Sequence, residues 1–159
     1  MAPGDAVRQP IDASDCSIIG TAQALGDVWS ILVLREVFLG ARRFNEMQAD
    51  LGISRSVLTD RLNRLVDLGV IRAVPYQEPG DRVRKEYRPT RKGVGLLPLV
   101  MALKEWGDEH VNGGVETVRI VHRQTGEEVH LEFRTPSGRK VEPNDMVPAP
   151  ADARTVSGP

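Results

Sequence analysis

The chain has 159 residues, enough for one domain with an appendage. Hydrophobic residues make up 40% and charged residues 27%, which excludes wholesale disorder, and 21 Lys and Arg against 22 Asp and Glu exclude a uniformly basic protein that coats nucleic acid. A single cysteine, Cys16, excludes an intramolecular disulfide framework and a multi-cysteine zinc site.

In chain order, a first helix is expected from Cys16 to about Leu25, with Ser14 or Asp15 as its N-cap. Asp27 caps a second helix that Gly40 closes; its residues are apolar nearly all round, so it belongs at the centre of a bundle. Asn45 is expected to cap a third helix, Glu46 to Leu51. Ser54 caps a fourth that ends near Gly69. Leu58, Leu62 and Leu65 form the buried stripe of this fourth helix, and Ser56, Thr59, Asp60, Asn63 and Asp67 lie on its other side.

Two strand-like runs follow, Val70 to Tyr76 and Val83 to Arg88, joined across a Pro79-Gly80 turn. Thr90 is expected to cap a fifth helix reaching His110, with Pro98 kinking it or marking a late start. Beyond Gly113-Gly114 the period changes. Val118, Ile120 and His122 alternate, as do Val129, Leu131 and Phe133, and a third run covers Arg139 to Val141. This predicts an antiparallel β appendage of two or three strands, too small to be stable alone.

Position matters more than totals. None of the 11 prolines falls between Ile11 and Val74. Between Arg35 and Gly95 there are 13 basic and 8 acidic residues, net +5, while the rest of the chain nets −6; a basic middle between acidic flanks suits a protein of which one face meets a polyanion. The expected organisation is a flexible segment 1–12, a DNA-binding and dimerisation domain 13–112, the appendage 115–147 and a flexible tail 148–159. The first 25 residues show no cationic segment followed by an apolar run, and no stretch has the length of a membrane span, so a cytoplasmic protein with no membrane partner is expected.

The order helix, glycine turn, helix, basic two-stranded ribbon is that of a winged helix-turn-helix, mainly α with small β (α+β), here with a long dimerisation helix and a C-terminal antiparallel β appendage. A helix of about 10–12 Å diameter fits the major groove. On the outward face of the fourth helix, Arg55, Ser56, Thr59 and Asn63 are the base-side candidates, with Asp60 set aside because phosphate repels its charge. Arg82, Arg84, Lys85 and Arg88 of the ribbon are backbone candidates, as is Ser54 at the helix N-terminus. Apolar residues on the first helix (Ile18, Ile19, Ala22) and on the fifth (Leu96, Leu99, Val100, Leu103, with Trp106) exceed what a three-helix core needs. They meet either a second subunit or the appendage, the subunit being the favoured reading.

Five blocks carry a resemblance. They are Trp29-Ser30-Ile31-Leu32-Val33-Leu34-Arg35-Glu36, Arg43-Phe44-Asn45-Glu46-Met47, residues 53–62 with Leu58-Thr59-Asp60-Arg61-Leu62, Leu68-Gly69-Val70-Ile71, and Glu86-Tyr87-Arg88-Pro89-Thr90-Arg91-Lys92-Gly93. In that order and spacing the chain resembles the HxlR family of bacterial winged helix-turn-helix transcriptional regulators. The resemblance implies a homodimer joined largely through the first and last helices of the domain, bound to a palindromic operator in double-stranded DNA and controlling a neighbouring gene, as a repressor or an activator, the repressor being the favoured reading. It places the recognition helix at Ser54 to Leu68, Arg43 near phosphate, and Arg61 and Arg64 as phosphate or helix-anchoring contacts.

It also puts Cys16 at the position of the family's N-terminal cysteine. That residue is either a redox or electrophile sensor or a small, partly buried hydrophobe. The appendage looks like a zinc-ribbon-type tail whose cysteines are gone, with Thr125, Arg134 and Ser137 in their places; His122 and His130 are too few for a structural site, so a metal-free remnant is expected. No cofactor is implied. A small-molecule effector of unknown identity is a further partner.

Two other classes of function compete with this reading. A winged-helix protein–protein module without DNA binding draws support from Asp60 and Asp67. An enzyme does not: no ligand-spaced His/Asp set, nucleophile elbow or phosphate loop is present.

Overall fold

A computed structural model describes residues 15–147. The expected flexible segments 1–12 and 148–159, and Ser14 as a cap, lie outside the described residues. Those residues fall into two compact units, 17–119 and a smaller one comprising 15–16 and 120–147.

The first unit contains α1 (Ser17–Leu25), α2 (Val28–Leu39), α3 (Phe44–Leu51), α4 (Arg55–Asp67), β1 (Ile71–Tyr76), β2 (Arg84–Pro89), α5 (Arg91–Val94) and α6 (Leu97–His110). The fold is α+β. As its all-round apolarity requires, α2 sits at the centre, against α3, α4, α6 and β2, with Val33, Leu34 and Val37 buried. Asp27 starts it by accepting the Ser30 N–H at 3.1 Å, and Gly40 stops it in the left-handed conformation at φ 107°.

The start of α3 differs from expectation. Asn45 is not the cap; the helix begins one residue before it, with Arg43 in the cap position. The cause is Glu46, whose carboxylate accepts the backbone N–H groups of Arg42 and Arg43, both at 2.9 Å. A carboxylate at the third helical position thereby reaches back to the N–H of the cap residue and of the residue before it, the half of a capping box that the third position supplies. Ser54 does cap α4, accepting from the Val57 N–H at 3.3 Å, and Leu58, Leu62 and Leu65 are fully buried.

β1 and β2 pair antiparallel from Ile71↔Pro89 to Tyr76↔Arg84. The Tyr87 N–H donates to the Arg42 carbonyl at 2.7 Å and Arg43 bridges to Glu86, so the turn before α3 is fastened to the far edge of β2. The predicted long fifth helix is two helices. Thr90 caps the one-turn α5, and α6 begins afresh with Pro98 in its first turn. Pro98 has no N–H to give to Val94, so a continuous helix would lose a bond there, whereas in a first turn that donor has no helical partner anyway. Gly93 sits so closely against the residue before β1 that a Cβ would lie 1.9 Å from the Val70 carbonyl oxygen.

In the second unit the strands are shorter than predicted. β3 (Phe133–Arg134) pairs with β4 (Lys140–Val141), a short 3-10 turn covers Pro143–Asp145, and the expected 118–122 and 129–133 hairpin reduces to one bridge, Val121↔Glu128. Period-two alternation without a core to bury it does not enforce a ladder. Hydroxyls hold the two turns instead. Thr125 Oγ1 meets His122 Nδ1 at 3.0 Å, and Thr135 and Ser137 bond at 2.8 Å. Among the described residues no three His, Cys, Asp or Glu side chains are grouped to hold a metal ion, and no single helix is long and apolar enough to cross a membrane.

Candidate nucleic-acid interface

The helix-turn-helix is α3, the Gly52 turn and α4. Opposite the buried leucines, α4 presents Arg55, Ser56, Thr59, Asp60 and Asn63, all exposed. The Arg55 guanidinium lies over the Phe44 ring, 4.9 Å from its centroid, which ties it to α3, and the residue is exposed. Thr59 donates its hydroxyl to the Arg55 carbonyl at 2.7 Å, so it can offer a ligand only lone pairs and its methyl group. Ser54 and Ser56 hydroxyls bond each other at 3.1 Å at the head of the helix.

Arg61 and Arg64 take the anchoring alternative. Arg61 Nε donates to both Asp27 oxygens, at 3.0 and 2.9 Å. The paired guanidinium, first through that hydrogen bond, lowers the Asp27 pKa, and Asp27 in turn raises that of Arg61. Arg64 donates to the Ala24 carbonyl at 2.8 Å and to that of Gln23. The two arginines fix α4 to the start of α2 and the end of α1; both partners lie more than 30 residues away in sequence, so no local signal could have shown them.

In the wing, Arg43 forms an ion pair with Glu78 at 2.7 Å and stacks over Tyr76 at 4.8 Å; the Glu78 charge raises its pKa. Arg84 pairs with Asp81 at 3.2 Å and Arg88 with Glu86 at 2.6 Å. Arg82 and Lys85 are exposed and make no ion pair among the described residues. The roles of Glu78, Asp81 and Tyr76 carry no sequence signal beyond that of the Pro79-Gly80 turn; Glu78 and Tyr76 meet Arg43 only in the fold.

The apolar surface on α1 and α6 is open in the single chain. Ile18 is 80% and Trp106 62% exposed; Ile19, Ala22, Leu99 and Leu103 are exposed too, and Leu96 and Val100 are half-buried. Cys16, just ahead of α1, is half-buried. A cleft of about 330 Å³ opens between Gly20 and Ala24 of α1 and Leu68, Val70, Lys92 and Leu96.

A family model for the HxlR-like helix-turn-helix matches residues 24–115. The chain belongs to the HxlR family. This HxlR-family chain is similar to the HTH-type transcriptional regulator MT3179 of Mycobacterium tuberculosis (strain CDC 1551 / Oshkosh), itself uncharacterised, at 36% identity over 132 residues, covering 80% of this chain and 81% of that one. Its fold is similar to the crystal structure of PA1607, described as a transcription factor, with a TM-score of 0.72 and 35% identity over 86% of this chain and 95% of that one. It is similar also to PA1374 of Pseudomonas aeruginosa, described likewise, with a TM-score of 0.60 and 32% identity over 89% and 96%. HxlR membership gives the class of activity: transcription regulation through a DNA-binding helix-turn-helix.

Proposed function

We propose that this HxlR-family protein is a homodimeric, sequence-specific repressor that sets α4 of each protomer in the major groove of a palindromic operator. The observation that carries the reading is the division of α4 into a fully buried leucine face and an exposed polar one. Arg55, Ser56, Thr59 and Asn63 read bases; Ser54, Arg43, Arg82, Arg84, Lys85 and Arg88 hold phosphates, while Arg61 and Arg64 orient the helix. The open apolar residues of α1, and Leu99, Leu103 and Trp106 at i, i+4 and i+7 along one side of α6, support a paired molecule, since scattered surface leucines are ordinary but an apolar stripe marks an interface.

An effector has two candidate entry points, the thiol of Cys16 for an electrophile and the cleft beside Lys92 for a small apolar molecule. Lys92 donates to the Leu68 carbonyl at 2.7 Å, so a ligand that drew the ammonium away would loosen the end of α4. The test is a mobility shift on the DNA upstream of the protein's own coding region. Binding should fall by about 10³–10⁵ between roughly 50 and 200 mM salt if six or more phosphates are neutralised. The acidic residues Asp60 and Asp67 on the outward face favour a second reading, a protein-binding module. A captured partner with no salt-dependent affinity for any duplex would establish that reading instead.

A further inference from the structure

Asp60 has the wrong charge for a phosphate surface, yet it stands in the middle of the outward face. Ser56, Asp60, Asn63 and Asp67 are spaced i, i+4, i+7 and i+11, the stripe diametrically opposite Leu58, Leu62 and Leu65. None of the arginines of α4 neutralises it by contact: Arg55 is held over Phe44, Arg61 by Asp27, and Arg64 by the α1 carbonyls. The Asp60 carboxylate is exposed and forms no ion pair or side-chain hydrogen bond among the described residues; Arg61, held by Asp27, acts on it only through the field of its charge. Its carboxylate can only accept, and no neighbouring side chain donates to it: the Thr59 hydroxyl donates to the Arg55 carbonyl and the Ser54 and Ser56 hydroxyls bond each other.

The major groove offers two kinds of donor to such a group, the N4 amino group of cytosine and the N6 amino group of adenine. Adenine sets its N7 acceptor beside N6, which repels a carboxylate; cytosine has no acceptor on that side of its own edge. Asn63, with both a donor and an acceptor, suits the adenine N6/N7 pair. Three residues advance a helix by about 4.5 Å, close to the ~3.4 Å step between base pairs, so the two side chains address the same or adjacent pairs.

We propose that Asp60 is a specificity-determining residue that accepts a hydrogen bond from the N4 amino group of a cytosine in each half-site, next to or at the pair read by Asn63. The proposal rests on the DNA-binding reading above and sharpens it. The Coulombic cost of a carboxylate near phosphate is what makes the contact selective: sites lacking the amino donor keep the repulsion without the bond.

The experiment selects duplexes from a randomised pool with the full-length protein, then measures Kd at fixed salt for every single-base change. The selected half-site should contain an invariant cytosine, and its replacement by thymine should weaken binding about tenfold or more. Asp60→Ala should reduce that discrimination to about twofold while discrimination at other positions persists, and Asp60→Asn should move the preference to adenine. Because Asp60 is exposed, both variants should keep the wild-type helical signal and thermal midpoint. A selected site without an invariant cytosine overturns the proposal. So does retention of every base preference in Asp60→Ala with a uniform gain in affinity, which would make the carboxylate a mere repeller. If the wild type binds no duplex, the DNA-binding reading itself falls and takes this proposal with it.

Discussion

Arg43 has more than one claim on its guanidinium. Glu78 holds it as an ion pair at 2.7 Å, Tyr76 lies beneath it, and a phosphate of bound DNA would compete for the same donors. Both partners of the pair are about half exposed, so solvent screens it and the pair itself adds little to stability. That is still enough to show in binding. Glu78→Gln should raise affinity for any duplex about two- to fivefold, and should do nothing in an Arg43→Ala background; a double-mutant cycle by fluorescence anisotropy reads the difference. An equal gain in both backgrounds would mean that Glu78 acts through long-range repulsion and not through Arg43.

Asp27 does two jobs at the same scale, capping α2 and receiving Arg61. Its pKa is lowered from 3.8, chiefly by the Arg61 hydrogen bond. A carboxyl whose folded value is depressed contributes stability that is present above the unfolded value and lost as pH falls through the folded one. Asp27→Asn keeps a good N-cap and removes only the ion pair. It should lower stability at pH 7 by less than about 1 kcal/mol, since the pair is partly exposed. In acid denaturation the wild type should lose this increment below pH 3.8 while the variant shows no such loss.

At the scale of elements, the parts that were legible are those with a local cause. Asp27, Ser54 and Thr90 announce three helix starts, and Gly40 and Gly52 announce two ends, because a cap acts within one turn of itself. The leucine stripe of α4 was legible for the same reason. What was not legible had partners far along the chain. The fastening of Arg42 and Arg43 to β2, the Arg61–Asp27 pair and the Arg43–Glu78 pair all join residues brought together only by the fold. The strands predicted within 118–133 failed in the opposite way: the alternation is real, but all but two of the residues from 115 to 133 are exposed, and no burial rewards pairing.

Gly93 belongs to this scale because it sets how closely α5 can approach the chain entering β1. With a Cβ placed 1.9 Å from the Val70 carbonyl oxygen, the helix or that chain must move, and both are tied by the Thr90 hydroxyl bonded to the Gly69 carbonyl at 2.7 Å. Gly93→Ala should therefore cost about 2 kcal/mol or more, against the small gain that alanine brings to an unobstructed helix position. Thermal unfolding should show a lowered midpoint. An unchanged midpoint would mean that the contact relaxes freely.

At the scale of the whole molecule, the dimer decides whether the remaining assignments have the reach to work. One α4 in one groove gives a single short contact; two held by a rigid partner convert the second contact into an intramolecular event, which multiplies affinity by about 10²–10⁴. For the proposed dimer, the half-sites would lie one helical turn, about 34–36 Å, or a multiple of it apart. The proposed pairing would use the open apolar residues of α1 and α6, of which Trp106 has the largest side chain and is 62% exposed in one chain. Charge placed there should separate the protomers without touching α4 or the wing. Leu103→Glu with Trp106→Glu should sediment as a monomer. It should bind a single half-site duplex within about threefold of the wild type, and bind the two-half-site operator at least about 100-fold more weakly than the wild type does. A double variant that stays dimeric would place the interface elsewhere. A monomer that binds the full operator as tightly as the wild type would show that each recognition helix works alone, and the palindrome would lose its physical reason.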